Sequence, residues 1–257
     1  LAFEIHAHLS GRGRQFVPWM LVTRIHRSKV DLNRNFALCQ DEHRRPCNRP
    51  GCRPEHCHCV LCPSSNFALA IYHGYHALLA DARMLMGRQW GAGLYLDLHG
   101  IGSDYTVCQL GYGLQASALQ DRKILQDPLL CTIATAARNS PEGPQAVMNG
   151  GHSFGAMLSA AGLPCTPSPQ FPIPGQKPCA DRSNPKYQYF TGGYCVRHYA
   201  QRPAEDLVDG LQLELPSAMR KPQALRTSAQ SIAQAVVQWL QAHHAVSLRK
   251  WHTLCRP

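Results

Sequence analysis

Three short stretches place side chains capable of chemistry at the ends of apolar runs: VDLNRNF (Val30–Phe36), DLHG (Asp97–Gly100) and QLELP (Gln212–Pro216). In sheets flanked by helices, functional groups gather where strands give way to loops. His99 closes a run of alternating leucines, with Gly100 after it and Asp97 two positions earlier. Such an imidazole can offer a nitrogen to a metal while its neighbours leave room for substrate; the alternative is a core histidine with its hydrogen bonds satisfied. Glu214 lies between Leu213 and Leu215. Burying a carboxylate there carries a desolvation cost that a plain core position would avoid. It is either half of a buried pair with an arginine or a general base in an apolar setting. Asn33 and Arg34 set an amide beside a guanidinium fork, a combination suited to a carboxylate because Arg donates two parallel hydrogen bonds. Pairing of Arg34 with Asp31 is the other reading.

These residues need a scaffold. In LYLDLHG (Leu94–Gly100), period-two alternation sends Leu94, Leu96 and Leu98 to one side of a strand and Tyr95, Asp97 and His99 to the other. DGLQLELP (Asp209–Pro216) alternates likewise, with Gln212 and Glu214 opposite Leu211, Leu213 and Leu215. Apolar residues at Phe67, Ile71, Leu78, Ala82 and Leu85 predict a helix over Asn66–Trp90, stopped by Gly91 and Gly93. Leu225, Ile232, Val236 and Leu240 predict another over Ala224–His243, and Leu1, Ile5 and Leu9 a short one at the start. Phe16–Ile25 reads as a strand, residues 129–138 as a helix and Gln145–Met148 as a short strand. Leu163–Pro185 reads as an irregular loop, because its prolines remove amide donors. Strands separated by helices give an α/β class with a mixed, largely parallel sheet.

Composition narrows the function. Of the chain's 257 residues 44% are hydrophobic, which excludes global disorder. No run approaches the roughly 18 apolar residues of a membrane span, and the first residues lack the arrangement of a secretory signal. A soluble, cytoplasmic protein with no membrane partner is the expectation. The net charge of +10 is concentrated in residues 1–65 and 151–257. Its lysines and arginines are scattered among Pro and Cys, which favours a solvated cationic surface over a nucleic-acid interface and would attract an anionic small substrate. Six of the twelve cysteines (Cys39, Cys47, Cys52, Cys57, Cys59 and Cys62) crowd one segment, with His56 and His58 among them. Residues 39–65, rich in Pro and Arg, read as a disordered, redox-labile insertion loop; thiolates and imidazoles at this density also suit a soft metal.

Read together, the motifs resemble a known family. VDLNRNF is similar to the Asp-x-Asn-Arg motif of zinc carboxypeptidases, in which Asn and Arg hold a substrate carboxylate. The wider chain resembles the N-formylglutamate amidohydrolase family of the same fold group. Five segments carry the likeness in order: HRSKVDLNRNF (His26–Phe36), LYLDLHG, PSP (Pro167–Pro169), YFTGGYCVRHY (Tyr189–Tyr199) and GLQLELPSAMR (Gly210–Arg220). The resemblance implies a three-layer α/β/α hydrolase-like fold, one zinc, and hydrolysis of an amide in a small acidic N-acyl amino acid. By that resemblance His99 is a zinc ligand, Glu214 takes a proton from the attacking water, and Asn33 and Arg34 clasp a carboxylate. Arg27, Tyr194 and His198 contact substrate. In such relatives a His and an acidic residue that bind the metal precede the Asn-Arg pair. Here His6 and His8 fall in a helical pattern and are not assigned to it, so residues 1–257 read as a single hydrolase-like domain lacking its N-terminal part. Two other classes stay open: an inactive homologue that binds a small carboxylate, and a basic zinc- or nucleic-acid-binding module centred on residues 39–62.

Overall fold

The computed structural model describes residues 1–11, 18–27, 29–35, 66–102, 105–175, 188–200 and 207–244. The Cys-rich insertion at 39–65 and the end of the proline-rich passage, 176–185, lie outside the described residues. The chain divides into two compact units, residues 1–20 with 83–257, and residues 21–82.

The larger unit opens with α1 (Ala2–Ser10). The helix α2 (Asn66–Trp90) gives residues 66–82 to the smaller unit and 83–90 to the larger. Gly91 ends it in the left-handed region at φ 72° and donates to the Gly87 carbonyl, a turn that a residue with a Cβ resists. Strand β1 (Ala92–Gly100) follows at once, then β2 (Cys108–Gly111). Three short helices come next, α3 (Ala134–Asn139), α4 (Pro144–Met148) and α5 (Phe154–Ala160), before the two-residue β3 (Cys165–Thr166). Helix α6 (Tyr194–Ala200), strand β4 (Leu207–Leu215) and α7 (Pro222–His243) follow. Pro222 starts α7 where the missing amide hydrogen costs nothing.

Among the described residues four strands form one mixed sheet in the order β1-β4-β2-β3. Strands β1 and β4 run parallel, as do β2 and β3, while β2 and β4 are antiparallel. An α/β class with a mixed sheet is therefore the observed architecture. Leu211, Leu213 and Leu215 of β4 join Leu110, Phe154, Leu158, Ile232 and Trp239 in the core, with Ile5 and Leu9 of α1. Phe154 and Trp239 meet edge to face at 5.8 Å, tying α5 to α7.

At the start of β4, Asp209 is buried and accepts the Thr135 and Ala136 amides at 2.8 and 2.9 Å, which cap the first turn of α3. His244 Nε2 stands 3.2 Å from the same carboxylate. The end of α7 is thus anchored to the base of β4. No helix among the described residues is long and apolar enough to cross a membrane.

Several local expectations are corrected. Residues 18–25 form no strand, and Trp19, Met20, Leu21, Val22 and Ile25 are exposed; an apolar run becomes a strand only where another strand's edge receives its hydrogen bonds. Gln145–Met148 is helical, because Gly143 turns the chain at φ 86° and Pro144 presets the first helical residue. The helix expected over 129–138 is broken into a single turn at Pro128–Leu130, capped by the Asp127 side chain, and α3. Within the proline-rich passage, Cys165 and Thr166 do pair with β2.

The smaller unit has its own core of Val30, Leu32, Ala68 and Tyr72, with Ile71 and Tyr75 against it. Tyr72 donates its hydroxyl to the Arg34 carbonyl at 2.6 Å, and His76 Nε2 donates to the Leu32 carbonyl at 3.0 Å. The helix therefore grips the backbone of the VDLNRNF segment.

Candidate active site

Alternation fixes one polar face of the β1–β4–β2 sheet. Pairing sets Tyr95 beside Gly210, Asp97 beside Gln212 and His99 beside Glu214. Across β4, antiparallel β2 sets Gly111 beside Gln212 and Gln109 beside Glu214. Register partners share a face, so His99, Glu214 and Gln109 form one row near the C-terminal ends of β1 and β4, with Asp97 and Gln212 one row behind. The leucines of both strands point the opposite way.

The row is internally bonded. His99 Nε2 stands 3.1 Å from Asp97 Oδ1, so the carboxylate orients the imidazole. The second Asp97 oxygen, Oδ2, is buried with no hydrogen-bond partner among the described residues, a cost that a donor from a ligand or water would relieve. Glu214 is only 5% exposed, and its Oε1 accepts from Gln212 Nε2 at 2.8 Å. Gln212 uses its other end as well, accepting the Gly193 amide at 2.8 Å. A single amide therefore orients the buried acid and fixes the start of α6.

The segment 188–193 is strapped across this face. Gln109 Nε2 donates to the Gln188 carbonyl and Gln109 Oε1 accepts the Phe190 amide; Tyr189 donates to the Leu110 carbonyl at 2.7 Å. Gly111 admits the strap, since a Cβ there would stand 2.4 Å from the Gly192 nitrogen. Helix α6 then packs on β1 and β4, with Ala200 filling the space over Gly210. Arg83 Nε donates to the Tyr199 carbonyl and holds the end of α6.

The sequence-derived site residues fall into two groups. In the larger unit the fold brings His99 and Glu214 side by side, and Tyr194 and His198 stack at 4.9 Å one turn apart on α6. Arg27, Asn33 and Arg34 belong to the smaller unit. There Arg27 Nε bonds the buried Asp31 carboxylate at 2.9 Å, Arg34 Nε lies 3.5 Å from it, and the Asn33 amide donates to it at 3.1 Å. Asp31 thus organises the turn in the manner of an Asx-turn, and the pairing of Arg34 with Asp31 is what the geometry contains.

Zinc can be tested on the donors present. A catalytic zinc takes three protein ligands. Among the described residues no group of three or more His, Cys, Asp or Glu side chains is placed to hold a metal ion. His99 beside Asp97 does not by itself fit a zinc centre.

Three residues of the site were not singled out by sequence: Gln109, Gln212 and Arg220. Gln212 was visible in the QLEL alternation, but its two-ended role depends on Gly193, far away in the chain. Arg220 donates from Nε to the Leu215 carbonyl at 3.0 Å and from Nη2 to the Ile101 carbonyl at 2.7 Å, clamping the ends of β4 and β1. Backbone anchors of that kind leave no residue pattern.

Compared with known protein families, curated proteins and solved structures, the chain matches none.

Proposed function

We propose that the polar face of the β1–β4 pair is the active face of a hydrolase acting on the amide of a small acidic N-acyl amino acid, within a three-layer α/β/α fold. The observation that carries this reading is the register of His99 with Glu214, beside an Asp97 oxygen that lacks a donor. The buried strand β4 and the half-buried β1 place a carboxylate, an oriented imidazole and an unsatisfied acceptor together at strand ends, an expensive arrangement for a purely structural purpose. In the proposed reaction Glu214 takes a proton from water as its oxygen adds to the amide carbonyl. The C–N bond then breaks, and the proton passes to the departing amine. Gln212 keeps the Glu214 carboxylate aimed during the transfer. The resemblance to N-formylglutamate amidohydrolases supplies the substrate class.

The test is release of formate from N-formyl-L-glutamate by the purified full chain. Turnover is expected in the wild type, and a drop of about 10²- to 10⁴-fold in Glu214→Gln, the usual worth of a general base. Turnover retained by Glu214→Gln would remove the glutamate from its role.

One observation favours a second reading, binding without turnover: Glu214 is buried and its Oε1 is already held by Gln212. Calorimetric binding of N-formyl-L-glutamate with no formate release would select it.

A further inference from the structure

Arg34, the arginine that the motif suggests for a carboxylate, is engaged with Asp31. The larger unit carries another arginine at the strand ends. Arg220 is exposed as a residue, yet its guanidinium is fixed: Nε and Nη2 donate to the Leu215 and Ile101 carbonyls, the residues that directly follow Glu214 and Gly100. It lies against Gly100, where a Cβ would stand 2.6 Å from Cζ. The glycine after His99 therefore makes room for this side chain. No carboxylate pairs with Arg220 among the described residues, and Nη1 has no protein partner there.

A guanidinium has five N–H donors, and its Nη1/Nη2 edge can bind both oxygens of one carboxylate. Holding the opposite edge with two carbonyls removes the rotamer freedom that an exposed arginine loses on binding. The ends of parallel strands are also where ligands settle in α/β folds. We infer that Arg220 is an anion-binding arginine at the rim of the β1–β4 pair and that it recognises a carboxylate of the acidic substrate. This rests on the reading of the rim as a site for acidic substrates, and it assigns the carboxylate contact within the same unit as His99 and Glu214.

The test is calorimetry on the full chain with glutarate and the neutral glutaramide as probes. Wild type binds glutarate and not glutaramide. Arg220→Gln weakens glutarate binding roughly ten- to hundred-fold, the range for losing a hydrogen bond to a charged group. Arg220→Lys, which keeps the charge but not the fork, recovers part of it. Gly100→Ala, which pushes a methyl into the guanidinium, also weakens binding and decides the matter should Arg220→Gln fail to fold. Arg220→Gln with wild-type melting and unchanged glutarate affinity overturns the inference, as does a wild type that ignores glutarate. Formate release with an unchanged KM in Arg220→Gln removes the arginine and leaves the hydrolase reading standing. Arg220-dependent glutarate binding without formate release does the reverse. N-formyl-L-glutamine and the α-amide of N-formyl-L-glutamate, run in parallel, tell which substrate carboxylate Arg220 meets.

Discussion

Asp97 holds the Nε2 of His99 at 3.1 Å, two residues back on the same strand and the same face. A carboxylate beside that nitrogen favours the ring proton there. Asp97→Asn puts an amide in its place and removes the preference. Turnover of N-formyl-L-glutamate is expected to fall about 10- to 100-fold, the cost typical of losing an orienting partner, with KM little changed. Steady-state kinetics checks this; an equal change in KM and kcat would point to substrate contact instead.

The strap across β2 depends on the absence of one methyl. Gly111→Ala brings a Cβ within 2.4 Å of the Gly192 nitrogen, a backbone atom that cannot swing aside. A loss of about 1–3 kcal/mol is expected from the overpacking, with amides of residues 190–193 exchanging faster. Denaturant unfolding with hydrogen exchange measures both, and an unaltered exchange pattern would show that the strap does not lean on Gly111.

Asp209 serves two α3 amides and His244 at once. Replacing it with Ala strips two amide donors of their acceptor and takes away the carboxylate beside His244, all in a buried place. Destabilisation of about 3 kcal/mol or more is expected, seen as a shifted urea midpoint with the slope preserved.

His243 gives a pH signature. Burial pulls its pKa below the ordinary 6.5, against a raising contribution from the hydrogen bond it donates to the His152 carbonyl, while the neighbouring His244 lowers it further. A depressed value means that the unfolded chain binds the proton more readily. The contribution is intact above pH 6.5 and is lost as pH falls from there through the lower folded value. Melting temperature should decline over that interval in the wild type and decline less in His243→Gln.

The buried thiols should be silent. Burial pushes Cys131 up to about 12 and Cys108 higher still. The thiolate is the reactive species, so neither should label with iodoacetamide at neutral pH until the protein is unfolded. Mass spectrometry of native and urea-treated protein reads this peptide by peptide.

Period-two alternation in LYLDLHG and LQLELP was enough to place β1 and β4 and to separate their leucine and polar faces. Helical spacing likewise marked α1, α2 and α7. The same local patterns said nothing about which strands would be neighbours, and the His99–Glu214 row exists only because β1 and β4 pair in parallel at that register. Local apolarity misled at Phe16–Ile25, where burial depended on a partner edge that the run itself could not supply. Arg34 was legible both as a carboxylate clasp and as a partner of Asp31, and proximity in sequence brought about the second. Gln109 and Arg220 were illegible because their bonds run to backbone atoms, and for Gln188, Phe190 and Ile101 to backbone of distant segments.

The grip of Asp209 on His244, together with the packing of α1 against α7, sets a timetable for synthesis. The opening helix leaves the ribosome more than two hundred residues before the helix that shelters it. Until α7 and position 244 emerge, the acid at the foot of β4 has no imidazole and Ile5 and Leu9 of α1 lack the helix that covers them. A chain cut within Pro222–His243 loses the cover of Ile5 and Leu9 together with the imidazole beside Asp209, so the harm reaches both ends of the larger unit's core rather than staying a local trim.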